Sequence, residues 1–314
     1  MYVTRLEPAY KDYLWGGTKL NEIYGKKNDY AKIAESWELS CHKDGLSVIF
    51  DGNLKGKTLL SALEIWGRDA LGEKAAAFDF FPILIKLIDA NESLSVQVHP
   101  NDAYAIKEEG QYGKTEMWYV IDAAIGAELV YGLKRNLTTD AFLQHASDGS
   151  LTEDLNYVRV KKGDVFFIEA GLIHAIGKGI LIAEIQQNSN LTYRVYDYGR
   201  KDSMGNTRIL QTEKAAKVAK LEATEYKKTE TSAEKISDAL ISKLCSCPYF
   251  TVYKTILNGS FDIITDGSFV SLTVLEGEGT VASLTVNTGT TVFIPAGIKK
   301  TTVKGKMTFL TATV

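Results

Sequence analysis

Apolar residues in this chain fall mostly into short, β-branched runs, each closed by Gly, Asn or Asp. IAESWELSC, LSVIFDG, TEMWYVIDA, AELVYGL, DVFFIEAG and GILIAEIQQ are of this kind, and FTVYKTILNG, SFVSLTVLEGEG, TVFIPAG and KMTFLTATV continue them through the last third. Such runs predict strands. Helical periodicity is scarcer. It predicts helices over Thr58 to Trp66, Asn101 to Glu109, Thr139 to Ala146 with a stop at Gly149, and Gln211 to Lys220. Many short strands and few helices argue for a mainly β sandwich or jelly roll rather than alternating βαβ units. Gly-x-Gly-x-x-Gly and P-loop patterns are absent.

Two segments share one pattern. GDVFFIEAGLIHAI (163–176) and GTTVFIPAGIKKTT (289–302) each run Gly, hydrophobic strand, small-residue Gly turn, second strand. Two copies of one β-barrel module leave such a trace. His174 has no histidine counterpart in the second copy, where Lys299 and Lys300 stand. The charged stretch EATEYKKTETSAEK (222–235) reads as an inter-domain connection or a solvated hairpin. The expected division is an N-terminal module over 1–235, with a small helical component and the chemistry, and a smaller β module over 236–314 without metal ligands.

The strand LSVQVHPND (94–102) alternates Leu94, Val96 and Val98 with Ser95, Gln97 and His99. Alternate side chains project to opposite faces, so one face is apolar and the other holds a hydroxyl, an amide and an imidazole. Gln97 and His99 lie two apart on one face, with Cα atoms roughly 6.5–7 Å apart, close enough to converge on one ion. Glu116 in GKTEMWYVI and His174 in AGLIHAIG are further candidates. Two imidazoles with a carboxylate and an oxygen ligand suit a borderline divalent ion such as zinc. The residues alone leave a second reading open: His99 caps a turn before Pro100, and His174 is an ordinary hydrogen-bonded histidine.

Charge and composition narrow the classes. Net charge is −3 over 314 residues, without a Lys/Arg block, so a nucleic-acid groove is not expected, although a few cations can hold one phosphate. The N-terminal MYVTRLEPAYKDYLWGG has no apolar signal core, and FFPILIKLIDA, interrupted by Lys86, is too short to span a bilayer. Three cysteines, with Cys245 and Cys247 one residue apart, argue against a disulfide framework and for a reducing cytoplasm. Both are expected to be buried thiols, Cys41-His42 a loop end, and His145 an exposed helical residue.

The ordered set Ser-x-Gln-x-His-Pro, Lys-x-Glu-Met, Gly-x-x-His-Ala and Tyr-Arg-x-Tyr-Asp resembles the type I mannose-6-phosphate isomerases of the cupin superfamily, in their shorter bacterial form. YLWGGTKL, ESWELSCH, FPILIKLIDANESLSVQVHP and NSNLTYRVYDYGR extend the resemblance over most of the chain. It implies two cupin jelly-roll modules with a few short helices, one Zn2+ per chain, and interconversion of D-mannose 6-phosphate and D-fructose 6-phosphate through an enediol. By matching motif, Gln97, His99, Glu116 and His174 are the implied zinc ligands. Arg194 is the implied catalytic arginine, a permanent cation suited to holding enediolate charge. Lys114 and Glu184 are implied proton-transfer candidates. Ser95 and Arg200 are implied contacts for substrate or phosphate, with arginine giving a forked grip. Asn190 departs from the aspartate of some longer members, which puts a mechanism needing that acid in doubt. Lys86 has two readings, facing the same cavity or snorkelling from its strand, and the second is the expected one.

The implied partner is therefore a small sugar phosphate, with no nucleic acid or membrane, and oligomeric state is left open. Two rivals remain at this stage. One is another cupin enzyme, either an oxygenase or an isomerase of a different sugar phosphate. The other is a non-catalytic sugar-binding or regulatory bicupin that keeps its metal as a staple.

Overall fold

The computed structural model describes residues 1–26, 29–201 and 204–314. Among these residues the strands form three main antiparallel sheets. A six-stranded sheet runs, in spatial order, Val165–Ile168, Glu116–Ala123, Ile180–Gln187, Ile83–Ala90, Glu35–Leu39 and Ala9–Lys11. A five-stranded sheet runs Leu155–Arg159, Glu128–Leu133, His174–Ala175, Val96–Val98 and Tyr193–Tyr196. The third sheet gathers the C-terminal strands, from Ala233–Ile236 to Lys300–Thr313.

Each sheet buries its apolar side chains where the sequence pattern placed them. Val96 and Val98 pack with Phe142 and Ala146 of the helix Thr139–Asp148 and Ala215 of the helix Thr212–Ala216. That layer closes the outer face of the five-stranded sheet, so the polar row beginning at Ser95 is turned inward. The strand Ile83–Ala90 is buried along its whole length because both of its faces are covered. Ile83, Ile85 and Leu87 join Leu244, Phe250 and Phe269 in a core between the six-stranded sheet and the C-terminal sheet. The C-terminal barrel is filled by apolar side chains that include Leu272, Val274, Val292, Val303 and Phe309.

Three of the expected helices form nearly as the sequence predicts. Leu59–Trp66, Asp102–Glu109 and Thr139–Asp148 start at Thr58, Asn101 and Thr138, whose side-chain oxygens accept from Ser61, Tyr104 and Ala141 amides. Gly110 and Gly149 end the latter two in the left-handed conformation. The fourth is shorter than expected: Thr212–Ala216 gives way to tight turns, and the Lys220 amide is taken by Gly171 O.

The charged stretch 222–235 combines both expected behaviours. Ala223 bridges to Leu133, and Tyr226 stacks on Phe166 with centroids 4.9 Å apart, so its first part is bound to the N-terminal module. Its last part enters Ala233–Ile236, which forms a hairpin with Ala239–Ser246 and crosses the expected division at 235/236. The C-terminal sheet also takes in Thr4–Glu7 and Val48–Ile49 from the start of the chain.

Candidate metal centre and active site

Cross-strand register assembles the site. In the five-stranded sheet Arg194 pairs with Gln97, and Gln97 with His174. Residues directly opposite each other share a face, so these three form one inward row. In the facing sheet Trp118, Glu184, Lys86 and Trp37 form a second row, with Glu116 two residues from Trp118 on the same side. The rows meet inside the N-terminal barrel at a cavity of about 320 Å³, lined among others by Ser95, Gln97, Lys114, Glu184, Arg194 and Arg208. A larger recess of about 860 Å³ beside Arg68 and Glu73 lies away from these rows. Size therefore does not select the site; convergent buried polar groups do.

The four expected ligands come together. His99 Nε2 and His174 Nε2 are 3.2 Å apart, and Gln97 Nε2 is 3.4 Å from His174 Nε2. Glu116 oxygens lie 3.4 Å from His174 Nε2 and 3.8 Å from His99 Nε2. Rotating the Gln97 amide by half a turn presents its carbonyl oxygen to the same point. His174 Nδ1 donates to Leu172 O at 2.8 Å, which leaves Nε2 as a bare lone pair. Burial pushes the His174 imidazole down to about 4, and burial with the charge of Lys114 pushes His99 lower than its usual range. Both rings are neutral at pH 7.

These features test the fit of a metal ion. Two neutral imidazoles face each other through Nε2, and neither oxygen of the fully buried Glu116 has a well-aligned hydrogen bond. Lys114 Nζ makes a charge contact 2.6 Å from one of those oxygens and lies 3.2 Å from His99 Nε2. A buried carboxylate beside the Nε2 lone pair of His174 and the Nε2 of a second neutral imidazole makes a place for a cation at their centre. Two imidazoles, a carboxylate and an amide oxygen are a donor set that fits a divalent ion.

Beside this cluster stands a chain of alternating charges. Glu184 Oε1 is 3.2 Å from Lys86 Nζ and 3.7 Å from Lys114 Nζ, and Glu184 Oε2 accepts from the Trp118 indole at 3.1 Å. Burial favours the protonated form of Glu184, but the ammoniums of Lys114 and Lys86 outweigh it and hold the carboxyl well below its usual range. Burial and the charge of Glu184 push Glu116 up, to about 7. The two carboxyls titrate as a pair, and Glu184 is the one that stands between both lysines. Lys86 is 3% exposed and turned into the cavity, which corrects the expectation that it snorkels. Its ammonium is neutralised by Glu184 and by Glu35 at 3.5 Å, so it has no need to reach solvent.

Arg194 donates from Nε to Ser95 Oγ at 3.2 Å and from Nη1 to Ile209 O at 3.2 Å. Ser95 is thus a buried support for the guanidinium. Arg200 stands elsewhere than expected. It lies outside the cavity lining, ion-paired with Asp197 and donating to Ser93 O at 2.6 Å. Arg208, which sequence reasoning missed, binds the other oxygen of Asp197 at 2.7 Å and lines the cavity. No local pattern marks Arg208, whereas Lys86 is signalled as the one lysine in a strand that is buried on both faces and also holds Asp89. Asn190 also lines the cavity and donates to Asp44 Oδ2 at 2.9 Å. Cys245 and Cys247 are half-buried free thiols rather than buried ones, and His145 is paired with Asp154 at 2.6 Å rather than exposed.

Comparison with known proteins agrees with this geometry. Residues 3–125 match the family described as phosphomannose isomerase type I, catalytic domain, and residues 241–314 match mannose-6-phosphate isomerase, cupin domain. Mannose-6-phosphate isomerase ManA of Bacillus subtilis (strain 168) is 42% identical over 281 residues, 88% of this chain and 86% of that protein. Mannose-6-phosphate isomerase of Streptococcus mutans is 38% identical over 268 residues, 85% of this chain and 83% of its own length. The crystal structure of mannose 6-phosphate isomerase from Bacillus subtilis covers 100% of both chains with a TM-score of 0.92 at 33% identity. Fold, buried donor set and similarity along most of the length converge, and this chain belongs to the type I mannose-6-phosphate isomerase family.

Proposed function

We propose that the protein interconverts D-mannose 6-phosphate and D-fructose 6-phosphate through an enediol, with Zn2+ held by Gln97, His99, Glu116 and His174. The observation that carries this reading is the buried cluster of those four side chains, set directly behind a cavity that Gln97, Lys114, Glu184 and Arg194 line. A divalent ion bound there supplies positive charge to the oxygens of the opened sugar.

The chain's own residues supply the rest of the chemistry. Moving a proton between C1 and C2 needs an acceptor, a donor and a fixed cation near the developing enediolate. Glu184 takes the proton from one carbon and Lys114 gives one to the other, and transfer from Glu184 back to Lys114 across the 3.7 Å between them restores both groups. Arg194 remains charged throughout and holds enediolate oxygens, with Ser95 fixing its Nε. Lys86 completes the neutralisation of Glu184. For the phosphate, Arg208 at the cavity wall offers its Nη1 side, its other edge being held by Asp197, which Arg200 also pairs. Trp118 and Trp15 close the apolar side of the barrel around the site and keep water from the intermediate.

The test is an assay for fructose 6-phosphate formed from mannose 6-phosphate, run beside metal analysis and proton exchange with D2O at C2. Turnover with about one zinc per chain supports the reading. Tight sugar-phosphate binding without exchange would leave a non-catalytic bicupin, and oxygen uptake without isomerisation would leave an oxygenase.

A further inference from the structure

We propose that Asp102 and Gln187 are positioning residues, which act through the main chain of residues 113–115 to hold Lys114 and Glu116 against His99. The inference rests on the active-site reading above. Neither residue lines the cavity; both sit behind it.

Three successive amides lead into Glu116, and each is held from outside the strand ladder. Gly113 N–H donates to Asp102 Oδ1 at 2.8 Å, Lys114 N–H to Pro100 O at 3.0 Å, and Thr115 N–H to Gln187 Oε1 at 2.9 Å. Gln187 closes the ring. Its Nε2 donates to the same Asp102 oxygen at 2.8 Å, and its backbone N–H donates to Thr115 O at 3.1 Å. Both ends of the Gln187 amide are therefore engaged, which fixes its orientation. The side chain is buried, so no water replaces a lost partner without rearrangement.

The segments joined in this way carry the chemistry. Pro100 and Asp102 closely follow His99, and Gly113 to Thr115 directly precede Glu116. Their backbones lie in contact: a Cβ on Gly113 would stand 2.5 Å from the Asn101 carbonyl carbon and 2.6 Å from the Asp102 nitrogen. Glycine is required at that position because no side chain fits. The turn before His174 is tied to the same place, through Gly171 N–H to His99 O at 2.8 Å. The Tyr249 phenol, from the C-terminal half, also faces the Asp102 carboxylate. Displacing this frame by about 1 Å is enough to spoil ligand and proton-transfer geometry.

The experiment compares Asp102→Ala and Gln187→Met with Asp102→Asn, which keeps an accepting Oδ1. Zn2+ affinity is measured by competition with a chromophoric chelator, kcat and KM with mannose 6-phosphate, and folding by far-UV circular dichroism. In the Ala and Met variants Zn2+ affinity and kcat are each expected to fall about 10–100-fold, as for other partners that orient ligands. KM is expected to change less than about threefold, because neither residue touches the sugar. Asp102→Asn is expected to recover most of both losses. Wild-type Zn2+ affinity in folded Asp102→Ala or Gln187→Met overturns the proposal, as does a loss confined to KM or an Asn variant no better than Ala. If Asp102→Ala does not fold, Gln187→Met, which preserves side-chain volume, decides between the outcomes. The chelator readout involves no sugar, so a wild type that fails to isomerise mannose 6-phosphate counts against the substrate reading and leaves this comparison intact.

Discussion

His174 serves the site through the difference between its two ring nitrogens. Nδ1–H is committed to Leu172 O, and burial keeps the ring neutral, so Nε2 is directed at His99, Gln97 and Glu116 with its lone pair free. Motif spacing could mark this histidine and its three companions as candidates, because each sits in a short local pattern. It left Lys86 between a cavity and a snorkelling position and gave no sign of Arg208, since their partners Glu184, Glu35 and Asp197 come from other strands and loops. His99→Ala is expected to lose bound zinc and activity together; full metal occupancy by elemental analysis would exclude His99 as a ligand. Arg194→Ala is expected to keep its zinc and lose about 100-fold or more in turnover, the scale of a lost charge-stabilising group. Metal loss in that variant would move Arg194 from chemistry to structure. The Cys245 thiol, then the amides of Tyr249 and Phe250, favour the Cys247 thiolate and lower its pKa to about 7. Alkylation by iodoacetamide is therefore expected to accelerate as pH rises through about 7 and then level off, with the fast phase absent in Cys247→Ser. A midpoint near the ordinary thiol value would show that the hydrogen bond from Cys245 is not kept in solution.

At the scale of elements, the strand Val96–Val98 shows how alternation becomes architecture. Its valines need an apolar layer, which the helices Thr139–Asp148 and Thr212–Ala216 provide, and its polar row is then forced into the barrel. The strand Glu35–Leu39 does a second job on its other side. Glu38 accepts from Lys26 Nζ at 2.7 Å, from Ser36 Oγ at 2.6 Å and from Thr291 Oγ1 at 2.7 Å, while Lys26 Nζ also donates to Gly289 O at 2.6 Å. This buried network joins the six-stranded sheet to the strand Thr291–Ile294 of the C-terminal sheet. Lys26→Met leaves the Glu38 charge buried without its cation and is expected to cost about 3–5 kcal/mol in urea unfolding. Adding Glu38→Gln removes the stranded charge and is expected to restore part of that stability; a single-variant cost below about 1 kcal/mol would contradict the argument. Strand and helix positions were largely readable, because caps such as Thr58 and Asn101 and the β-branched runs are local signals. The short turn of helix Lys19–Glu22 and the early end of Thr212–Ala216 were not, because contacts distant in sequence set them.

Over the whole molecule, the two halves are less separate than a division of the chain suggests. Thr4–Glu7 pairs with Thr291–Ile294, so the first strand of the chain belongs to the sheet built from its last third. One apolar core includes Leu6, Ile83, Met117, Phe250, Phe269 and Phe293, drawn from both halves. Trp66 stacks near Phe293 with centroids 6.4 Å apart, across the same boundary. Unfolding by urea is consequently expected to be one cooperative transition. Tryptophan fluorescence, which reports Trp15, Trp37, Trp66 and Trp118, is expected to follow the same curve as far-UV circular dichroism, which reports all the sheets. Two separated midpoints would show that the halves unfold independently despite the shared core.

Local signals in the chain were enough to set its mainly β character and most element positions, since alternation and turn residues act over a few neighbouring positions; they nominated four candidate ligands, which the family resemblance then singled out. Long-range packing was needed to keep Lys86 buried, to bring Arg208 rather than Arg200 to the cavity wall, and to make the first strand complete the last sheet. Those outcomes depend on which distant strands lie side by side, where an opposite charge or a free strand edge is found, and chain separation carries no information about either.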